Sequence, residues 1–78
     1  MITVKSSNLR SVNYDSQSAT LVVEFHSGPI YQYYGVPVAI YNGLMASKSK
    51  GHFFEAFIRH TYRYQRLSTF QEQNSNFA

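Results

Sequence analysis

Five of the seven basic residues in this 78-residue chain fall after position 47: Lys48, Lys50, Arg59, Arg63 and Arg66. Tyr62 and Tyr64 interleave with the arginines. Arginine forks onto phosphate and also stacks on bases, so this mixture suits a single-stranded nucleic acid. The plainer alternative is a solvated helix face on which Glu55 pairs with Arg59 at i,i+4. Just upstream, Lys48-Ser49-Lys50-Gly51 sets two ammonium groups around a helix start. Unpaired N–H groups and a partial positive charge gather there, and Gly51 lets a ligand come close, so a phosphate could sit on them. The spacing is not that of a P-loop, and an ordinary capped helix with solvated lysines is the favoured explanation. A third cluster, Tyr31-Gln32-Tyr33-Tyr34, puts three tyrosines on one short strand. Tyr31 and Tyr33 either stack bases on an open sheet or, alternating in phase with Leu21, Val23 and Phe25, pack in the core with their hydroxyls bonded at its rim, and the core reading is favoured. Tyr34, on the other face, is then the exposed stacker.

Other chemistry has little material. The chain has no cysteine, which removes disulfides, thiolate zinc sites and cysteine nucleophiles. His26, His52 and His60 lack the i,i+4 spacing that holds a metal on one helix face. With four acidic residues and no nucleophile elbow or triad spacing, neither paired carboxylates nor a hydrolase is indicated. No catalytic residue, metal ligand or cofactor is therefore assigned. Net charge is +3 and the first half is balanced, a bias mild enough to need no polyanion. No stretch approaches the roughly 20 apolar residues of a membrane span, and no charged-then-apolar signal opens the chain. The expectation is a soluble, cytoplasmic protein without a membrane partner.

These residues need elements to position them. Leu9–Tyr14, Ala19–Phe25 and Ile30–Tyr34 read as strands, joined by turns at Asp15-Ser16-Gln17-Ser18 and His26-Ser27-Gly28-Pro29. Pro37 is placed to open a helix whose apolar stripe is Ile40, Tyr41, Leu44 and Met45. Ser49 caps a second helix with Phe53, Phe54, Phe57, Ile58 and Thr61 inward and His52, Glu55, Arg59 and Arg63 outward. Tyr62–Leu67 either continues that helix or runs extended. The fold class is α+β: a three-stranded antiparallel meander followed by two helices on one face. Residues 1–67 form one domain and 68–78 a flexible polar tail. A chain this short buries only about 60 per cent of its unfolded surface, so its core is small.

The order of motifs resembles the KTSC domain, named for its occurrence at the C-terminus of some lysyl-tRNA synthetases. Val4-Lys5-Ser6-Ser7-Asn8-Leu9 is similar to its opening segment, and Val12-Asn13-Tyr14-Asp15 to its first strand end. Leu21-Val22-Val23-Glu24-Phe25 with Gly28 matches its central hairpin, and Tyr31-Gln32-Tyr33 before Val36-Pro37 its Y-x-Y motif. Ser49-Lys50-Gly51-His52-Phe53-Phe54 and Ile58-Arg59 match its S-x-G-x-x-F and I-R elements. Glu55-Ala56 departs from it where relatives often carry an Asn. The resemblance implies RNA binding through the synthetase context, and no catalytic residues. It also includes small stand-alone bacterial and phage-type proteins of this length.

The first expectation is thus a non-catalytic nucleic-acid-binding module, RNA foremost. Lys48, Lys50, Gly51, Arg59, Arg63 and Arg66 would meet phosphates, and Tyr34, Tyr62 and Tyr64 would stack on bases. It requires the basic residues to share one exposed patch. The alternative is a protein-interaction or accessory domain that docks through its sheet face or edge, with Thr20, Val22, Ile30 and Tyr34 as its footprint.

Overall fold

Alternating apolar residues between Leu9 and Tyr33 build the centre of the sheet. The computed structural model describes residues 1–67 and adds a strand at each edge. The strands are β1 (Ile2–Thr3), β2 (Leu9–Asp15), β3 (Thr20–Phe25), β4 (Ile30–Tyr33) and β5 (Tyr64–Leu67). All neighbours pair antiparallel in the order β1-β2-β3-β4-β5. Helices α1 (Val38–Ala46) and α2 (Lys50–Phe57) come between β4 and β5. The α+β class is as expected, but the sheet has five strands instead of three. Two-residue β1 is too short to show a period, and β5 is exposed at Tyr64, Gln65 and Arg66. Its extended form is stabilised by pairing with β4, a long-range effect that local preference does not report. Tyr62–Leu67 therefore resolves in favour of the extended alternative. The expected tail lies outside the described residues.

Register decides what reaches the core. Leu21 faces Tyr33 and Val23 faces Tyr31, while Tyr14 and Val12 stand opposite Leu21 and Val23 on the other side. A bulge between Leu9 and Ser11 inserts one residue, so Leu9 and Val12, three apart, are both fully buried. Ser11 is buried too, and its hydroxyl donates to Glu24 Oε1 at 2.8 Å. At the first turn Asp15 Oδ1 accepts from Gln17 N, the expected side-chain cap. At the second, Gly28 has φ +115°, which only glycine adopts without strain.

The helices close the core with Leu44, Phe54 and Ile58. Helix α1 starts at Val38, one residue later than expected, and Pro37 is its extended N-cap. Tyr41 on α1 stacks on Tyr14 at 4.6 Å, and the Tyr14 hydroxyl donates to Val36 O at 2.6 Å. Gly43 lets the helices approach: a Cβ there would lie 2.7 Å from Phe53 Cζ. Ser49 caps α2 by accepting from His52 N. That helix ends at Phe57, so Thr61 and Arg63, expected along it, lie beyond. Phe57 is half exposed against Phe53 and so contributes little to the core. No described helix is long and apolar enough to cross a membrane.

Candidate nucleic-acid interface

Residues opposite each other in a ladder share a face. On the helix side, therefore, β5 brings Tyr64 opposite Tyr33 and Arg66 opposite Tyr31. Helix α2 lays Phe54 over the same region. Five rings then close a circuit: Phe25–Tyr31 at 5.8 Å, Tyr31–Tyr64 at 5.6 Å, Tyr64–Tyr33 at 5.6 Å, Tyr33–Phe54 at 5.4 Å and Phe54–Phe25 at 5.4 Å. Together they line a cleft of about 370 Å³, joined by Ser27 and Pro29 from the β3–β4 turn and by Arg59 and His60. Edge-to-face contacts of this kind hold aromatic rings at fixed angles.

The cleft continues. A second depression of about 430 Å³ shares Phe25, Ser27, Phe54 and Arg59 with the first and runs past Asn8 and Gly51. A third, of about 270 Å³, shares Ser7, Asn8 and Gly51 with the second and carries Lys5, Lys48, Lys50 and His52. Gly51, Phe54 and Glu55, at i, i+3 and i+4, form the wall that α2 offers to this groove. The other wall is two loops tied together. Ser6 Oγ accepts from the backbone N of Asn8 and Leu9, His26 Nε2 bonds Ser6 O, and His26 N donates to Asn8 O. At Gly51 the walls nearly touch, since a Cβ there would lie 3.0 Å from Asn8 Nδ2. The three depressions thus follow one another as a groove, aromatic at one end and cationic at the other, narrowed between the second and third by the approach of Asn8 to Gly51.

Its electrostatics follow from these neighbours. Arg59 donates to Glu55 in a close i,i+4 pair, and that hydrogen bond holds the guanidinium firmly protonated. Burial pushes the Tyr33 hydroxyl up to about 12, partly offset by Arg59. Among the described residues the hydroxyls of Tyr31, Tyr33 and Tyr64 have no hydrogen-bond partner. The expectation of rim hydrogen bonds for Tyr31 and Tyr33 is thus not met, because both line the cleft. Tyr33 is core as well, 3% exposed, whereas Tyr31 is only partly buried.

The expected basic residues do not form one patch. Lys48, Lys50 and Gly51 stand at the cationic end, and Lys50 Nζ also donates to Ser47 O at 2.9 Å. Arg59 lies at the aromatic end, paired as the plainer alternative required. Arg66 shares the helix-side face of the edge strand, and Arg63 precedes that strand with its carbonyl accepting from Tyr34 N. Of the three expected stackers only Tyr64 lines the groove. Tyr62 packs against the core, and Tyr34 lies on the other sheet face, where its hydroxyl donates to Gln65 Oε1 at 2.8 Å. Lys5, Ser7 and Asn8 went unassigned in sequence because only folding brings them to Lys48 and Lys50. Tyr64 and Arg66 are marked in sequence by the interleaving of tyrosine with arginine, and their spacing of two puts them on one face of β5. Among the described residues no cluster of three His, Asp or Glu could hold a metal.

Fold and groove together define a small α+β domain with an elongated two-ended groove. A family model for the KTSC domain matches residues 5–62, and the chain belongs to that family. It is similar to the lysine–tRNA ligase of Trichormus variabilis, 36% identical over 64 residues that cover 82% of this chain and 11% of the ligase. It is similar also to a protein of Stutzerimonas stutzeri, 40% identical over 67 residues, 85% of this chain and 94% of that one. The crystal structure of a KTSC domain protein from Yersinia pestis superposes with a TM-score of 0.82 at 32% identity, covering 85% of this chain and 93% of that one. The chain thus spans 11% of the length of the lysine–tRNA ligases it matches.

Proposed function

We propose that this KTSC domain is a non-catalytic module that binds single-stranded nucleic acid, RNA foremost, along the groove beside α2, with Lys5, Lys48 and Lys50 as its cationic end in place of the single basic patch first required. The carrying observation is continuity: a five-ring aromatic cleft runs through shared residues into a cluster of Lys5, Lys48 and Lys50. Stacking surfaces joined to a cationic track are what sequence-tolerant single-strand binders use. Arg66 and Arg63 extend positive charge beyond the aromatic end, and of the expected stackers Tyr34, Tyr62 and Tyr64 only Tyr64 keeps that role. Similarity to a segment of lysine–tRNA ligases supports RNA as the polyanion. A cysteine-free chain suits a reducing, cytoplasmic setting.

Titration with tRNA and oligo(U) at several salt concentrations tests this. If three lysines each neutralise a phosphate, log affinity falls with log salt at a slope of about −2, from roughly −0.7 per contact on single strands. Absence of binding at low salt removes the proposal. A second reading, protein docking on the sheet's other face, is favoured by partly exposed Val22 and Ile30 beside Tyr34. It would move signals of Thr20, Val22, Ile30 and Tyr34 with a partner and leave the groove unaffected.

A further inference from the structure

We infer that the five-ring cleft takes one unpaired nucleobase of the bound strand, stacked on Tyr64 with its edge toward the hydroxyls of Tyr31 and Tyr33. This rests on the nucleic-acid reading above and deepens it, since stacking and phosphate contact are assigned to opposite ends of the groove.

Size comes first. A cleft of about 370 Å³ falls near the lower end of the roughly 300–1,000 Å³ of small-molecule pockets. It is concave and walled on several sides, so it admits one flat ring system and not the continuous surface of a duplex. Its walls are aromatic: Tyr64 is 58% exposed, which leaves a ring face free, and Tyr31 and Tyr33 stand at 5.6 Å from it. A planar group slipped against Tyr64 gains the stacking that any base offers.

Charge decides which part of a nucleotide enters. The charged group lining this end is Arg59, and Glu55 neutralises it in a direct pair. Among the residues that line the cleft, a phosphate inserted here would meet only Arg59, already paired with Glu55, while Arg66 stands on the same face outside that lining. The inserted group is therefore neutral. Phosphates belong at the other end, where Lys5, Lys48 and Lys50 gather. A neutral flat group on a polyanionic chain is a nucleobase. Polar recognition is available too, because the three hydroxyls have no hydrogen-bond partner among the described residues. A phenol hydroxyl can both donate to and accept from a base edge.

The test compares three probes on the full chain by anisotropy and tyrosine fluorescence: short oligo(A) RNA, an abasic ribose–phosphate strand of equal length and charge, and AMP. Oligo(A) is expected to bind about 5- to 150-fold more tightly than the abasic strand and to quench tyrosine emission, as one stacked base predicts. Tyr64→Ala, at an exposed edge position, should erase that difference while abasic binding stays. Tyr31→Phe keeps the ring and should change the ranking of oligo(A), oligo(U) and oligo(C). Equal binding of oligo(A) and the abasic strand overturns the base cleft but leaves phosphate binding standing. No binding by either strand overturns the nucleic-acid reading itself. AMP binding as tightly as oligo(A) would make the cleft a free-nucleotide site and overturn its place on a strand.

Discussion

Tyr64 stands directly opposite Tyr33 in the β4–β5 ladder, with ring centroids 5.6 Å apart and planes 36° apart. One ring is 3% exposed and the other 58%. The pair therefore joins the hydrophobic core to an open cleft, and edge strand β5 serves as a wall of the groove. Core packing and the proposed binding draw on the same strand, so substitutions that unfold the domain should separate from those that blunt the proposed binding.

Tyr64→Ala should cost only about 1 kcal/mol, since exposed cross-strand pairs contribute roughly 0.2–1 kcal/mol each. Leu44→Ala or Ile58→Ala, at fully buried positions, should cost about 2–5 kcal/mol. Urea titrations of the three variants check this, and comparable losses in all three would mean that Tyr64 is structural.

Stability should fall between about pH 10 and pH 12 through Tyr33. Its folded-state value is pushed up to about 12 from an ordinary 10, so in that window the folded chain holds the proton that the unfolded chain has released. The favourable difference is intact below pH 10 and lost as pH rises through 12, a drop of about 2–3 kcal/mol. Denaturation of Tyr33→Phe across the same range should lack this component, whereas an unchanged profile would assign it to other tyrosines.

Glu55→Gln should strengthen strand binding. It releases Arg59 from its pair and leaves a free guanidinium at the aromatic end. One added phosphate contact steepens the salt slope by about 0.7. Loss of the exposed i,i+4 pair should cost only about 0.3–0.5 kcal/mol of stability. Anisotropy at graded salt reads the slope, and weaker binding would indicate that Glu55 itself contacts the ligand.

Gly43→Ala should destabilise the domain although alanine is the better helix former. The added Cβ meets the Phe53 ring at 2.7 Å, an overpacking of about 1–3 kcal/mol against a propensity gain of about 1 kcal/mol. In a Phe53→Ala background the clash is gone, so the same change should stabilise. A double-mutant cycle measures that reversal, and additive effects would contradict it.

The centre of the sheet is legible because Leu21-Val22-Val23-Glu24-Phe25 alternates cleanly, and both turns carry the residues their geometry requires. Strand β5 is not, because Tyr64-Gln65-Arg66-Leu67 buries nothing fully and owes its shape to β4. The three-residue spacing of Leu9 and Val12 conflicts with a plain strand, yet only the pairing places the bulge. The same division holds for the site. Ser49 as cap and Glu55–Arg59 as partners are local relations, and both are found as read. The groove itself depends on bringing Lys5, Asn8 and Gly51 together at one end and Tyr31, Phe54 and Tyr64 at the other, which no local window contains. Tyr31 and Tyr33 have the inward phase that their alternation assigns, but a cleft between sheet and helix makes inward positions binding walls as well.

The most direct measurement is an amide and side-chain shift titration of the labelled chain with short single-stranded RNA at low salt. Binding in the groove predicts saturable shifts at Tyr31, Tyr64, Ser7, Asn8 and Gly51, with Thr20, Val22, Ile30 and Tyr34 unmoved. Shifts confined to that second set, or none at any residue, would contradict it.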